Sequence, residues 1–237
     1  MSNPVTTRRG TQSRRSHEAH RVLPASFYAQ PTLVVARALV GTLLVHDAPE
    51  GRTAGRIVEV EAYIGESDPA CHAAAGLTAR TAPLYGLPGR AYVYLNYGMH
   101  LLLNAVTEAD GRPAAVLLRA LAPVEGEALM RRRRFGASTS PHPAHALCRG
   151  PGNLGRAMGI TIAANRQPLT EGTLTIQDDG APDLDVVWTP RIGVTVGADR
   201  YWRCAARSEP AVSGLRRWLA EGRLAPTPFA PGAQVLP

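Results

Sequence analysis

Residues Arg56–Ile64 read RIVEVEAYI, and the period of that run decides the fold class. Successive side chains of a strand point to opposite faces. Glu59, Glu61 and Tyr63 therefore share one face, and Val58, Val60 and Ala62 the other. Outward from this stretch the same pattern recurs. Arg90–Tyr97 (RAYVYLNY) is a second strand with Tyr92 and Tyr94 on one face; Leu101–Thr107 (LLLNAVT) and Ala114–Leu121 (AAVLLRAL) are further strands. The link Glu108–Arg112 holds Asp110-Gly111, a strong hairpin signal. Helical patterns lie to either side. Pro31–Val45 suits a helix running into a strand near Gly41, and Val124–Arg134 reads as a helix. In Leu147–Gly159 (LCRGPGNLGRAMG) a Gly-Pro turn opens a short helix that Gly159 caps. Residues 65–89 read as loop with at most a short helix; residues 173–204 return to strands, Arg191–Val196 among them. The class is α+β, a single domain with a mostly antiparallel sheet flanked by helices. Residues 1–20 read as a disordered basic tail, residues 21–237 as the folded domain, and 225–237 as a Pro-rich coil.

The totals narrow the function. A chain of 237 residues with 45% hydrophobic content supports one sizeable core. The longest apolar run, Leu33–Val45, is broken by Arg37 and Gly41 and is too short to span a bilayer. Residues 1–20 hold no apolar stretch of the secretory kind, so a cytoplasmic protein is expected, nucleoid-associated if bacterial. Cys71, Cys148 and Cys204 are odd in number and form no Cys-x-x-Cys pair, against both a disulfide framework and a thiolate zinc site. The net charge of +7 suits a polyanion such as nucleic acid, although five arginines against Glu18 in residues 1–22 make a merely solubilising tail the bland alternative. All 26 basic residues are arginine, so no side-chain amine can form a Schiff base.

Several groups are suited to chemistry. Two carboxylates on one face of a Val-rich strand are costly unless used or paired. Glu59 and Glu61 thus suggest a general base in a cleft, or the solvated face of an edge strand. Tyr63, Tyr92, Tyr94 and Tyr97 offer flat faces for a planar ligand, or plain cross-strand packing. Tyr97, beside Gly98 at a strand end, is placed to protrude. His72 and His100 beside Cys71 make only a weak metal set, and no metal site is expected. Asn104 within LLLNAV needs hydrogen-bond partners. Arg119, closing an apolar strand, needs a carboxylate or a phosphate, and Glu61 fits. Gly150-Pro151-Gly152 before a helix is a weak anion cradle, and Arg131–Arg134 read best as a solvated helix face.

The stretches GRIVEVEAYIGESDPACHA and GRAYVYLNYGMH, followed in order by VLLRALAPVEG and LCRGPGNLGRAMGI, resemble the 3-methyladenine (alkyladenine) DNA glycosylase family over about Val22–Tyr201. That resemblance implies a base excision repair enzyme that flips alkylated or deaminated purines from duplex DNA and hydrolyses the N-glycosidic bond without lyase activity. It implies Glu61 as general base and Arg119 as the group that helps hold Glu61 and the attacking water. Tyr63 and His72 would form one wall of the base pocket, Tyr94 the opposite wall, and Asn104 the discriminator against guanine. The Val194-Thr195 backbone would reach the pocket. Tyr97 would be the wedge that fills the duplex, with Met99 and His100 on the DNA. His100 stands where an aromatic is expected, and RYWRCAARSEPAVSG matches only loosely. The partner is double-stranded DNA with damaged purines, met by a monomer that needs no cofactor. A damaged-DNA binder without catalysis, or a nucleotide hydrolase with a similar pocket, would be the rival readings.

Overall fold

In the computed structural model, which describes residues 20–138 and 141–228, the RIVEVEAYI stretch lies in the longest strand, at the middle of a sheet. The expected tail thus falls outside the described residues except for His20, as does the end of the C-terminal coil. In chain order the strands are β1 (Arg21–Val22), β2 (Leu43–Ala48), β3 (Gly51–Ile64), β4 (Ala91–Asn96), β5 (His100–Val106), β6 (Ala114–Glu125), β7 (Leu174–Asp178), β8 (Val186–Thr189) and β9 (Arg203–Ala206). The helices are α1 (Ala25–Tyr28), α2 (Thr32–Leu39), α3 (Glu127–Phe135), α4 (Pro151–Met158) and α5 (Leu215–Ala220). Every strand pairing is antiparallel, in the order β1-β7-β2-β3-β6-β5-β4. On its β2 side, β3 meets β2 along its first half and β9 along its second, and β8 pairs with β9.

The sheet has two differently used faces. Val58, Val60 and Ala62 join Leu103, Ala105, Val116 and Leu118 in a core closed by Val35 and Leu39 of α2 and Leu154 and Met158 of α4. Each such large apolar side chain contributes roughly 1.5–3 kcal/mol on full burial. Helix α4 lies close against β5 because Gly155 faces it: a Cβ there would overlap the Leu101 carbonyl oxygen. The opposite face carries Glu59, Glu61 and Tyr63, as alternation requires, and the candidate site is built on it.

Four local expectations need correction. Strand β3 is not an edge strand; neighbours on both sides leave Glu59 and Glu61 fully buried, so the solvated-face reading fails. Val124 and Glu125 complete β6, in which Glu125 pairs with Ala54, and the helix begins only at Glu127. Arg191–Val196 is a loop, since Pro190 lacks a backbone donor and Gly193 takes a positive φ. Arg131, Arg133 and Arg134 donate to the carbonyls of His142, Ala157 and Leu147, tying α3 to its neighbours rather than forming a free solvated face. Residues 65–89 hold two 3-10 turns, His72–Ala75 and Ala82–Tyr85. Among the described residues no helix is long and apolar enough to cross a membrane.

Candidate active site

Register assembles the site. Tyr92 stands opposite Asn104, Asn104 opposite Leu117, Leu117 opposite Glu61, and Glu61 opposite Arg203. One row thus crosses β4, β5, β6, β3 and β9, and directly opposed residues lie within side-chain reach of one another. A cavity of about 250 Å3 opens on this face. Tyr63, His72, Tyr94, Asn104, Arg119 and Val194 line it, and Tyr97 reaches it from the β4–β5 turn. Thr195 is exposed and not part of the lining; the loop reaches the cavity through Ile192, Gly193 and Val194. Met99 and His100 are exposed and stand outside the walls.

Glu61 is the best-positioned carboxylate. Its Oε2 accepts from the Tyr63 hydroxyl at 2.8 Å and from Arg119 at 3.2 Å, and its Oε1 from the Ile192 N–H at 2.7 Å. Glu59 is equally buried and equally bonded. Its Oε1 accepts from Arg119 Nε at 2.9 Å and Arg203 Nε at 2.7 Å, and its Oε2 from the Ser213 N–H at 2.8 Å. The two differ in where their donors stand. Tyr63, Arg119 and Ile192 all line the cavity, whereas Arg203 and Ser213 do not. Glu59 is therefore the strut and Glu61 the group behind the cavity wall. Burial alone would raise the Glu59 carboxyl, but the guanidiniums of Arg203 and Arg119 outweigh it and hold Glu59 below the usual range. Arg119 keeps its charge although it is buried, because Glu61 and Glu59 flank it.

Arg119 gains its two-carboxylate reach from a break in the ladder. The register steps from Val60 opposite Leu118 to Glu59 opposite Ala120, so Arg119 has no cross-strand partner of its own. Such a bulge re-aims the extra side chain.

The aromatic groups are arranged around the same space. His72 accepts or donates at Nδ1 to the Tyr92 hydroxyl at 2.8 Å and meets the Tyr94 ring edge-on at 4.5 Å between centroids. It thus packs on the Tyr94 side of the cavity, whereas the resemblance implied the wall opposite Tyr94. Burial, then the nearby Arg80 cation, lower its pKa and keep it neutral. Burial chiefly, with the neighbouring Tyr92 and Glu61, pushes the Tyr94 phenol up to about 12. The Asn104 amide donates to the Tyr92 carbonyl at 3.0 Å, which fixes its orientation. Tyr97 is 84% exposed at φ 48, followed by Gly98 at φ 69, and the Met99 N–H closes the turn on the Asn96 carbonyl. Left-handed backbone is unusual for a bulky residue. Pro151, at the start of α4, also reaches the cavity, so the Gly-Pro segment lies at its mouth.

Sequence reasoning missed the donors that come from far along the chain: the Ile192 N–H, Arg203 and the Ser213 N–H. It also missed the Arg191–Asp68 ion pair. The one available signal was a charge flanked by apolar residues in YWRCAA, the segment around Arg203. The three cysteines are buried and free. Among the described residues no cluster of three or more His, Cys, Asp and Glu suits a metal ion.

Known proteins share this arrangement of sequence. The family model described as methylpurine-DNA glycosylase matches residues 26–210. A relative from Methanocella arvoryzae is 49% identical over 195 residues, 81% of this chain and 96% of its own. One from Rubrobacter xylanophilus is 49% identical over 185 residues, 78% of this chain and 93% of its own. One from Myxococcus xanthus is 50% identical over 173 residues, 73% of this chain and 81% of its own. All three carry the provisional name 3-methyladenine DNA glycosylase.

Proposed function

The chain belongs to the methylpurine-DNA glycosylase family and is a DNA glycosylase, and from that premise we propose that it flips alkylated and deaminated purines, hypoxanthine included, into the cavity and hydrolyses their N-glycosidic bonds with Glu61 as general base. The observation that carries the proposal is the setting of Glu61, buried behind the cavity wall with three of its roughly four acceptor sites filled by cavity-lining groups. The remaining site on Oε1 suits one water. A base in a stacked duplex cannot meet that water, so extrusion is required.

The residues divide the work. Tyr63 and Tyr94 offer ring faces to the extruded purine, and His72 buttresses Tyr94. The cavity, at about 250 Å3, is smaller than the roughly 300–1,000 Å3 of drug-sized sites, in keeping with a single nucleobase. Asn104, held by the Tyr92 carbonyl, crowds the 2-amino group of guanine and so disfavours undamaged guanine. Glu61 takes a proton from water as the oxygen attacks C1′, and the C1′–N bond breaks with its electron pair leaving on the purine. Arg119 and the Ile192 N–H hold Glu61 in place and offset its charge. Tyr97, exposed at a hairpin tip, enters the duplex where the base left, and an inserted wedge offsets part of the few kcal/mol of unstacking. Met99 and His100 flank it on the DNA. With no lysine in the chain, strand cleavage through a lysine Schiff base has no nucleophile. The enzyme works as a monomer, which leaves the wedge face open to duplex.

The test is a panel of duplex oligonucleotides, each with one hypoxanthine, 3-methyladenine or undamaged purine. Damaged bases are expected to be released, with strands that break only on alkali. Strand breaks without alkali would overturn the monofunctional mechanism, and no release from any damaged duplex would overturn the substrate assignment.

A further inference from the structure

Arg191 is used by none of the steps above, yet both terminal nitrogens of its guanidinium are bonded twice beside the cavity, while its buried Nε has no hydrogen-bond partner among the described residues. It is fully buried, and its fork closes on Asp68 at 2.6 and 2.8 Å. The same nitrogens donate to the carbonyls of Ala62 at 3.0 Å and Gly197 at 3.3 Å. The guanidinium also lies 4.7 Å from the Tyr63 ring centroid and 5.2 Å from that of Trp202. Asp68 in turn accepts from the backbone N–H groups of Ile64 and Ala70. The pair therefore joins three pieces of the site: the end of β3, the turn leading to Cys71 and His72, and the loop 191–197.

Burying an ion pair is weak evidence of stabilisation, since apolar side chains of equal volume often serve as well or better. A planar fork gives direction instead. The residue that follows Arg191 supplies the Ile192 N–H to Glu61 at 2.7 Å, and Ile192, Gly193 and Val194 form cavity wall. The loop is shaped around the guanidinium: Gly197 has φ +60, and a Cβ there would stand 3.2 Å from Arg191 and 3.3 Å from Pro69.

Resting on the glycosylase reading of Glu61, we propose that Arg191, clamped by Asp68, is a positioning residue. It holds the 191–197 loop where the Ile192 N–H meets Glu61 and backs the Tyr63 ring against which the purine stacks. Arg191 touches neither water nor purine; it acts through Ile192 and Tyr63.

The experiment compares wild type, the paired variant Asp68→Asn/Arg191→Met, which removes both charges of the buried pair and leaves only the partly exposed Arg200 without its Asp68 contact, and Arg191→Lys, which keeps the charge and loses the fork. Single-turnover excision of hypoxanthine is measured per titrated active enzyme, with amide hydrogen exchange read at Ile192 and in β6. In the paired variant the rate is expected to fall about 10²-fold, the scale of a small misplacement of a reacting group. Ile192 is expected to lose protection while β6 keeps its own, and lesion-duplex affinity to change far less than the rate. Arg191→Lys should fall between the two and recover part of the rate, which a purely structural loss of folded protein would not reproduce. If either variant retains Ile192 protection and the wild-type rate, the clamp is wrong. If wild type itself releases no base, the glycosylase reading fails, and exchange at Ile192 still decides the clamp.

Discussion

At the residue scale the site depends on side chains held where ordinary folding preferences would not place them. Tyr97 is the clearest. The turn 96–99 takes positive φ at both central residues, a conformation suited to Asn-Gly rather than Tyr-Gly. A left-handed residue with a Cβ costs roughly 1–2 kcal/mol. Asn keeps a Cβ but tolerates left-handed backbone through local hydrogen bonding, so Tyr97→Asn should raise the unfolding free energy and with it the urea midpoint. The same change should weaken excision from duplex while leaving single-stranded substrate less affected. A variant that is both no more stable and equally active on duplex would refute the wedge assignment. Its exposure was legible in the sequence, since a tyrosine beside Gly at a strand end is placed to protrude. Glu61, Tyr63 and Arg119 were legible for a similar reason: alternation fixed their common face, and a buried charge requires a partner.

At the element scale the decisive feature is the bulge at Arg119 between β3 and β6, which lets Arg119 reach Glu59 and Glu61 together. No pattern in AAVLLRAL reports a bulge, because it arises from pairing with a strand far away in sequence. Nor could RIVEVEAYI reveal that β9, more than a hundred residues on, covers its second half. For that reason Glu59 and Glu61 both read as possible surface carboxylates when both are buried. Glu59→Gln leaves Arg203 facing a neutral amide, and breaking such a buried pair costs about 3–5 kcal/mol. The pH dependence has a definite sign. The Glu59 carboxyl titrates lower in the folded chain than its ordinary 4.5, so its contribution is fully present above that value and is lost as pH falls through the lower folded one. Urea titrations should show the gap between wild type and Glu59→Gln widest near neutrality and narrowing below pH 4.5. A gap independent of pH would remove Glu59 from the charged network. Ser213 and Arg203 tie this strut to the segment after β9, so the C-terminal part belongs to the site's support even where its sequence departs from the family pattern.

At the scale of the whole molecule the sheet separates two tasks. One face packs on α2 and α4 and carries the apolar core; the other carries charge, aromatic rings and the cavity. Periodicity revealed both faces, because the same alternation that buries Val58, Val60 and Ala62 points Glu59, Glu61 and Tyr63 the other way. It did not reveal the loop 191–197, whose position is set by an ion pair rather than by period. The net charge of +7 belongs to this scale too. Phosphate contacts release counterions, and log affinity falls with log salt by about 0.9 for each phosphate neutralised. Anisotropy titrations across a salt series should therefore show steep weakening of duplex binding. Deleting residues 1–19, with four of the five arginines of the first 22, should make that slope shallower while leaving the single-turnover rate unchanged. An unchanged slope would exclude the tail from the DNA.

The most direct measurement is single-turnover excision by wild type and Glu61→Gln on a duplex with one hypoxanthine, alongside the affinity of each for that duplex. A general base is worth about 10²–10⁴-fold. Glu61→Gln should lose at least that much rate and still bind the lesion. Excision at the wild-type rate would contradict the role of Glu61 and, with it, the reading of this cavity as the place where the glycosidic bond is broken.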